Sequence, residues 1–334
     1  MDNPDGIILS VNNTELTAVE KKFFKKTKPF GFVLFKRNFK NYLQIKNLIL
    51  ELKVSTINRS PLIFIDQEGG KVQRLRGKNF TDFPPQKIFG DLCEVNENKA
   101  LTLSYLTSYL IGNELKEIGI DVNFSPVCDL VFDNAHKIIG NRSFGKNPET
   151  ANKLVSQYCK GLMDSGVFPV LKHYPGHGRS KKDTHNDVSC IRTDLKTLKE
   201  TDLIPFLCLK EETFVMLAHI TYPGIDSEIA TYSKKINKLL RDYNSFKGLI
   251  ITDDISMKGL TDNLETIVKR SYDAGCDIIL HCNGKIDEMK RIYPLSKPIS
   301  QKYLNFFQKK LKKIDPKVMQ IENIRRELKN EGII

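Results

Sequence analysis

The chain has 334 residues, of which 40% are hydrophobic and 28% charged, a composition that suits a globular protein with a full core. It contains no run of about 18 apolar residues, so we expect no membrane-spanning helix. The net charge is +12, but lysine and arginine are spread along the predicted helices, and neither zinc-finger spacing nor an RNA-binding aromatic motif is present. We therefore expect no nucleic-acid partner.

The cysteines and the first residues bear on the cellular compartment. Seven cysteines are scattered along the chain, and none are spaced as CxxC, which favours reduced thiols. Residues 1–6 are acidic and turn-like, without the basic and apolar regions of a signal peptide. We expect a cytoplasmic protein.

Short apolar runs alternate with helical patterns along the whole chain. Most of these runs are apolar on both faces, as in the strands of a buried parallel sheet. The predicted strands are Ile7–Val11, Gly31–Phe35, Leu62–Asp66, Asp121–Val127, Val170–Tyr174, Val215–His219, Leu249–Asp253 and Asp277–His281.

The segments between these strands carry helix signals. Residues 17–20 form a capping box, and Pro205 is expected to divide the helix between Leu195 and Leu209. Glycines 119, 166 and 275 stand where helices end, just before strands. One predicted helix has an apolar stripe formed by Leu43, Ile45, Leu48, Ile49 and Leu52.

Eight strands with intervening helices predict an α/β protein, a single-domain (β/α)₈ TIM-like barrel. The alternative is a doubly wound sheet, but no glycine-rich phosphate turn follows Ile7–Val11. We expect residues 1–290 to form the catalytic barrel. Residues 291–334 should form a basic helical tail that packs on the barrel or extends from it.

The densest group of chemically active side chains lies in Lys172–Gly178, which reads KHYPGHG, followed by Asp183, Thr184 and His185. A predicted strand leads into this segment, and its proline and glycines exclude a regular helix. Reactive side chains on a loop that leaves a buried strand are typical of an active site.

Other predicted strands also end in ionisable residues. Asp66 ends the third strand, His219 the sixth, and Asp253 and Asp254 the seventh, while Arg142 lies in a glycine-flanked loop after the fourth. In a (β/α)₈ barrel these ends meet at one rim. The pattern therefore predicts one shared site.

The motifs KHYPGHG with a following DTH, DQEGGKVQR, NRSFG and ITDDISMKGL resemble those of the family 3 glycoside hydrolases. More closely, they resemble the bacterial β-N-acetylglucosaminidases of peptidoglycan recycling. The match runs from about residue 5 to about residue 285. It implies retaining hydrolysis through a covalent glycosyl-enzyme, without a metal or other cofactor. The implied substrate is N-acetylglucosamine linked to anhydro-N-acetylmuramic acid, with or without its peptide.

The resemblance also assigns roles to residues. Asp253 is the nucleophile, and strand alternation supports this choice because Asp253 shares a face with Leu249 and Ile251. His185 is the acid/base, oriented by Asp183. The predicted sugar-binding residues are Asp66, Arg74, Arg142, Lys172 and His173.

Some nearby residues have open or structural roles. His177 either supports its loop or contacts the ligand, His219 is expected to be a satisfied inner-barrel residue, and Glu68 is expected to shape its loop. Residues 179–182 read RSKK, where relatives are acidic or small, and these cations would lower the pKa of His185 if they lie close to it. Because these four residues are polar, we expect a mobile loop over 174–187 that brings His185 to the bound sugar.

Three alternatives stay open. A metal-dependent hydrolase would use His173, His177, His185 and Asp183 as ligands. A lyase would form a Schiff base on Lys172. A non-catalytic sugar-binding protein would use the same cavity without turnover. The sequence leaves the oligomeric state, the aglycone and the breadth of hexosaminide specificity open.

Overall fold

The structure is a computed structural model that describes residues 3–57, 61–133, 135–182 and 189–334. Eight parallel strands follow one another around a closed barrel, and the first pairs with the eighth. The predicted (β/α)₈ fold is confirmed. The barrel strands are Asp5–Ser10, Pro29–Leu34, Leu62–Ile65, Val122–Asn123, Phe168–Tyr174, Phe214–Leu217, Leu249–Asp254 and Ile278–Leu280.

The fourth strand is much shorter than predicted. Only Val122–Asn123 is regular strand, and one isolated parallel bridge joins Val127 to Lys172. Pro126 has no N–H group to donate to a ladder, which limits regular pairing beyond Asn123.

Helices connect the strands and surround the barrel. Thr17 and Glu20 form the predicted capping box of the first helix. The predicted break at Pro205 is also present, because an α-helix ends at Glu200 and a 3₁₀ helix begins at Ile204. The α-helices are Ala18–Phe24, Tyr42–Val54, Lys87–Cys93, Glu97–Glu117, Pro148–Asp164, Leu195–Glu200, Lys234–Asp242, Leu264–Ala274, Ile286–Ile292, Gln301–Lys313 and Ile321–Asn330. The 3₁₀ helices are Lys36–Asn38, Gly140–Arg142, Ile204–Glu211, Ala230–Tyr232 and Tyr293–Leu295.

The apolar stripe on the second helix is narrower than the sequence predicts. Four of its five members are buried, but Leu43 is 67% exposed. Leu43 lies in the first turn and its side chain faces solvent, so it does not share the buried face of the other four.

Among the residues that the structure describes, two small sheets lie outside the barrel. A hairpin of Gln67–Gly69 and Val72–Gln73 follows the third strand. Gly69 makes its turn possible: it has φ +102°, and a Cβ there would lie 2.2 Å from the carbonyl oxygen of Pro84. The second sheet contains Ser189–Cys190, Ile220–Tyr222 and Asp226–Ile229.

Aromatic rings fill the N-terminal end of the barrel. Phe307, from the helix Gln301–Lys313, lies with its ring centroid 5.6 Å from that of Phe30, 5.5 Å from Phe168 and 5.8 Å from Phe214. Its side chain is buried. The floor of the barrel is therefore completed by a residue from beyond the eighth strand.

The last helix packs on the barrel's outer helices. Ile324 and Leu328 are buried, and Arg325 Nη2 lies 2.7 Å from Glu114 Oε1 on the helix Glu97–Glu117. None of the helices within the described ranges combines the length and apolarity that crossing a membrane requires.

Candidate active site

A cavity of about 540 Å³ opens at the C-terminal ends of the strands, the face on which (β/α)₈ enzymes bind substrate. The third, fifth and seventh strands contribute ionisable side chains to its wall, as the sequence predicted. The predicted residues that line it are Asp66, Arg74, Arg142, Lys172, His173 and Asp253.

Asp66 is held between two cations. Lys172 Nζ lies 2.9 Å from Asp66 Oδ1, and Arg74 Nη2 lies 3.0 Å from Oδ2. Burial would raise the pKa of Asp66, but Lys172 and Arg74 outweigh it and hold the pKa well below the usual range. Asp66 therefore presents a permanently ionised carboxylate to the cavity, an acceptor suited to sugar hydroxyls.

Glu68 lies beneath the cavity as a buried counter-ion, a more specific role than the loop shaping that the sequence suggested. It accepts two hydrogen bonds of 2.8 Å from Arg142 Nε and Nη2, and Lys172 Nζ lies 2.6 Å away. Burial would raise the pKa of Glu68, but Arg142 and Lys172 lower it to about 2. Two of the nitrogens of Arg142 are thus occupied by Glu68 rather than free for a sugar.

The two neighbouring aspartates of the seventh strand differ in their surroundings. Asp253 Oδ1 accepts a 2.8 Å hydrogen bond from the backbone N–H of Asp254, and its side chain lines the cavity. Asp254 accepts from Ser256 N–H and hydroxyl at 3.0 and 2.6 Å, and from Cys282 N–H at 3.1 Å. Asp254 also lines the cavity, but its oxygens are held by the turn that follows the strand.

Asp129 is a functional-site residue that sequence reasoning missed. This fully buried carboxylate lies beneath the KHYPGHG loop: Oδ2 is 2.6 Å from His173 Nδ1, and Oδ1 accepts from His177 N–H at 2.6 Å and His173 N–H at 3.2 Å. Burial would raise the pKa of Asp129, but His173 and His177 lower it below the ordinary value. Burial, reinforced by His173, lowers the pKa of His177 to about 4.

Two other histidines have structural partners, as the sequence predicted for His219. His219 Nδ1 lies 2.6 Å from the hydroxyl of Thr231, and Nε2 lies 3.0 Å from the carbonyl oxygen of Asp254. Burial lowers the pKa of His219. His281 Nε2 contacts Glu288 at 3.0 Å.

The predicted dyad of Asp183 and His185 lies outside the described residues, as does most of the second half of the loop 174–187. In the described residues just before it, Arg179 and Ser180 have polar partners, and the expected mobility of the loop stays a prediction. Arg179 Nε pairs with the buried Asp202 at 2.8 Å, and its guanidinium lies 3.9 Å from the ring centroid of Phe132. Ser180 is buried and bonds to Ser189. Arg179 and Ser180 therefore have polar partners, whereas our expectation considered only the lack of apolar burial in residues 179–182.

Other cavity residues missed by the sequence analysis follow the second and eighth strands. Arg37 donates to the carbonyl oxygens of Val11 and Cys282 at 3.1 and 2.6 Å, and it stacks on Phe35. Asn283 follows the eighth strand and also lines the cavity. The signal was available, since both residues follow predicted strand ends.

Comparison with known proteins decides the family. The sequence model of the glycosyl hydrolase family 3 N-terminal domain matches residues 7–312. This chain belongs to glycosyl hydrolase family 3. The resemblance in its motifs is thereby confirmed.

Similar proteins narrow the branch of family 3. The β-hexosaminidase of Stenotrophomonas maltophilia K279a is 35% identical over 285 residues, 84% of each chain. That of Idiomarina loihiensis is 33% identical over 307 residues, covering 90% of this chain and 91% of its own. NagZ from Neisseria gonorrhoeae, solved in complex with N-trifluoroacetyl-D-glucosamine, superposes with a TM-score of 0.85 at 30% identity, covering 99% of this chain and 95% of the other.

Proposed function

We propose that this family 3 enzyme is a retaining β-N-acetylglucosaminidase that releases terminal β-linked N-acetylglucosamine from peptidoglycan fragments. Its enzyme class, a glycoside hydrolase of β-N-acetylhexosaminidase type, follows from the family and the hexosaminidases it resembles. The observation that carries the finer proposal is the placement of Asp253 in one cavity with Asp66, Lys172 and Arg74. A nucleophilic carboxylate and a set of hydroxyl-binding groups thus face the same space.

Asp253 is proposed as the nucleophile. Its oxygen attacks the anomeric carbon as the bond to the aglycone oxygen breaks, giving a glycosyl ester with inverted configuration. Water then attacks the same carbon and releases Asp253, so the two inversions give net retention. The hydrogen bond from Asp254 N–H fixes the carboxylate's orientation.

The sugar is bound by the charged groups around Asp66. Its carboxylate accepts hydrogen bonds from ring hydroxyls, while Lys172 and Arg74 beside it donate. These groups are already paired and oriented, so little reorganisation accompanies binding.

Asp183 and His185 are proposed as the acid/base dyad, on the strength of the family motif alone. An unperturbed imidazole titrates near pH 6.5, so His185 is suited to protonate the leaving oxygen and then take a proton from water. Asp183 orients the ring. A neutral imidazole also tolerates an anionic substrate better than a second carboxylate would.

The proposed substrates are N-acetylglucosaminyl-anhydro-N-acetylmuramic acid and its peptides, hydrolysed in the cytoplasm during peptidoglycan recycling. Incubation with purified muropeptides, followed by mass spectrometry, tests this assignment. Release of N-acetylglucosamine supports it. If the enzyme hydrolyses a nitrophenyl glycoside but leaves the muropeptides intact, the substrate assignment is wrong. The enzyme class would still hold.

A nitrophenyl N-acetyl-β-glucosaminide assay with excess EDTA separates the alternatives. Turnover that survives chelation and disappears in Asp253→Ala supports the glycosidase. Loss of turnover with EDTA would favour the metal-dependent hydrolase, which merits the test because a NagZ structure with bound zinc is known. Sugar binding without turnover would favour the sugar-binding protein.

Each catalytic role has its own test. A fluorosugar trap followed by mass spectrometry should label Asp253, and Asp253→Asn should abolish turnover while keeping sugar binding, because the charge matters most in the transition state. His185→Ala should slow substrates with poor leaving groups far more than nitrophenyl substrates. Equal losses on both would remove His185 from the acid role.

A further inference from the structure

We propose that Asp129 is a positioning residue that fixes the tautomer of His173, so that His173 Nε2 accepts a hydrogen bond from a sugar hydroxyl. This inference rests on the proposed function only in taking the cavity as the sugar site. The sequence predicted His173 as a sugar-binding residue, and this inference adds that it binds as an acceptor.

The carboxylate of Asp129 faces three donors. Oδ1 accepts the backbone N–H groups of His173 and His177, and Oδ2 lies 2.6 Å from His173 Nδ1. An ionised carboxylate only accepts hydrogen bonds, so the hydrogen of a neutral His173 ring must be on Nδ1. Nε2 of that ring then carries a lone pair.

Nε2 is the ring nitrogen that Asp129 leaves for a ligand, because Nδ1 is occupied. His173 lines the cavity, and within the described part of the chain Nε2 makes no hydrogen bond. The position of the ring is fixed as well, because Asp129 binds the backbone at both His173 and His177.

The segment around Asp129 is packed too closely for the loop to shift easily. A Cβ on Gly178 would lie 1.8 Å from the carbonyl oxygen of Leu130, so the loop backbone touches the residue that follows Asp129. Asp129 is fully buried. The carboxylate therefore joins the end of the fifth strand to the KHYPGHG loop at a fixed distance.

Asp129→Asn tests the proposal sharply. The single amide oxygen must face the two backbone N–H groups, which turns the amide NH₂ toward His173 Nδ1. Nδ1 must then accept, the ring hydrogen moves to Nε2, and the hydroxyl meets a donor instead of an acceptor. We expect kcat/KM to fall roughly 10- to 100-fold, the scale of a buried polar group that is left without its hydrogen-bond partner.

Two measurements separate positioning from a merely structural role. Ring ¹⁵N shifts, with His173 assigned by difference from His173→Asn, report the tautomer directly. Calorimetry with N-acetylglucosamine and its 3-, 4- and 6-deoxy analogues reports the hydroxyl contact. Wild type should show Nδ1–H and lose roughly tenfold in affinity for one analogue, whereas Asp129→Asn should show Nε2–H and no such extra loss.

Several results would overturn the inference: a wild-type ring with hydrogen on Nε2, a doubly protonated ring, or unchanged discrimination among the analogues in Asp129→Asn. If Asp129→Asn does not fold, the wild-type shifts still decide. Neither measurement needs turnover. If the wild type is inactive but shows the expected tautomer, the proposed function is contradicted and this inference is not. Normal hydrolysis with the wrong tautomer would remove this inference alone.

Discussion

Glu68 and Arg142 are joined beneath the cavity by two parallel hydrogen bonds, Arg142 Nε to Glu68 Oε2 and Nη2 to Oε1, each 2.8 Å long. The side chains are 2% and 9% exposed, so the pair is almost completely shielded from water. Lys172 contacts the same carboxylate at 2.6 Å. Glu68 thus supports two of the cations that line the cavity.

Glu68→Ala should lower the free energy of unfolding by about 3–5 kcal/mol, because it leaves Arg142 and Lys172 buried beside a vacated counter-charge. Urea unfolding measures the loss. Glu228→Ala is the matched control: it removes a glutamate from a half-exposed pair with Arg270 and should change stability by less than about 1 kcal/mol. Similar losses of unfolding free energy in the two variants would show that burial does not determine how much an ion pair contributes to stability.

The low pKa of Glu68 predicts that the free energy of unfolding depends on pH. The pKa of Glu68 is about 2 in the folded protein, against about 4.3 in an unfolded chain. A depressed pKa means that its stabilisation is present above about pH 4.3 and is lost as the pH falls through about 2. Between pH 5 and pH 2, wild type should therefore lose more unfolding free energy than Glu68→Gln, and parallel curves would refute the shift.

Much of the site could be predicted because parallel strands bring their C-terminal ends together. Asp66, Lys172 and Asp253 each lie at such an end, so their convergence followed from the strand pattern alone. Asp129 could not be found this way, because it lies between apolar neighbours after an irregular strand. Its proposed role depends on a contact with His173, 44 residues away, that no local pattern encodes.

A second limit of prediction from sequence concerns the expected effect of the cations in residues 179–182 on the pKa of His185. The sequence places Arg179 six residues before His185 but does not reveal that its charge is balanced by Asp202. Leu43 shows a third limit of prediction from sequence. Helical spacing shows which residues share a face of the helix, but not how wide the buried part of that face is.

Arg179→Gln should lower the free energy of unfolding by roughly 2–4 kcal/mol, since Asp202 would stay buried without its cation. The pKa of Asp202 is already raised by burial against the opposing effect of Arg179, and it should rise further in the variant. A raised carboxyl pKa weakens stability as pH rises, so the loss should be greater at pH 8 than at pH 4. Arg192→Gln, at an exposed position, is the control for removing a cation.

Phe307→Ala should lower the free energy of unfolding by about 3–5 kcal/mol, because it leaves a cavity among Phe30, Phe168 and Phe214. Phe306→Ala removes the same side chain from the adjacent, only partly buried position and should cost less than half as much. Thermal and urea unfolding compare the two. Equal losses would show that the floor does not depend on Phe307.

The position of Phe307 sets the order in which the protein can finish folding during synthesis. All eight strands are translated before the helix Gln301–Lys313, so the nascent barrel has an open, aromatic floor until that helix emerges. Exposed apolar surface of this kind favours aggregation and is a recognition feature for chaperones. Ribosome-bound chains that end before residue 301 should thus have a greater need for chaperone protection than chains that include residues 301–313.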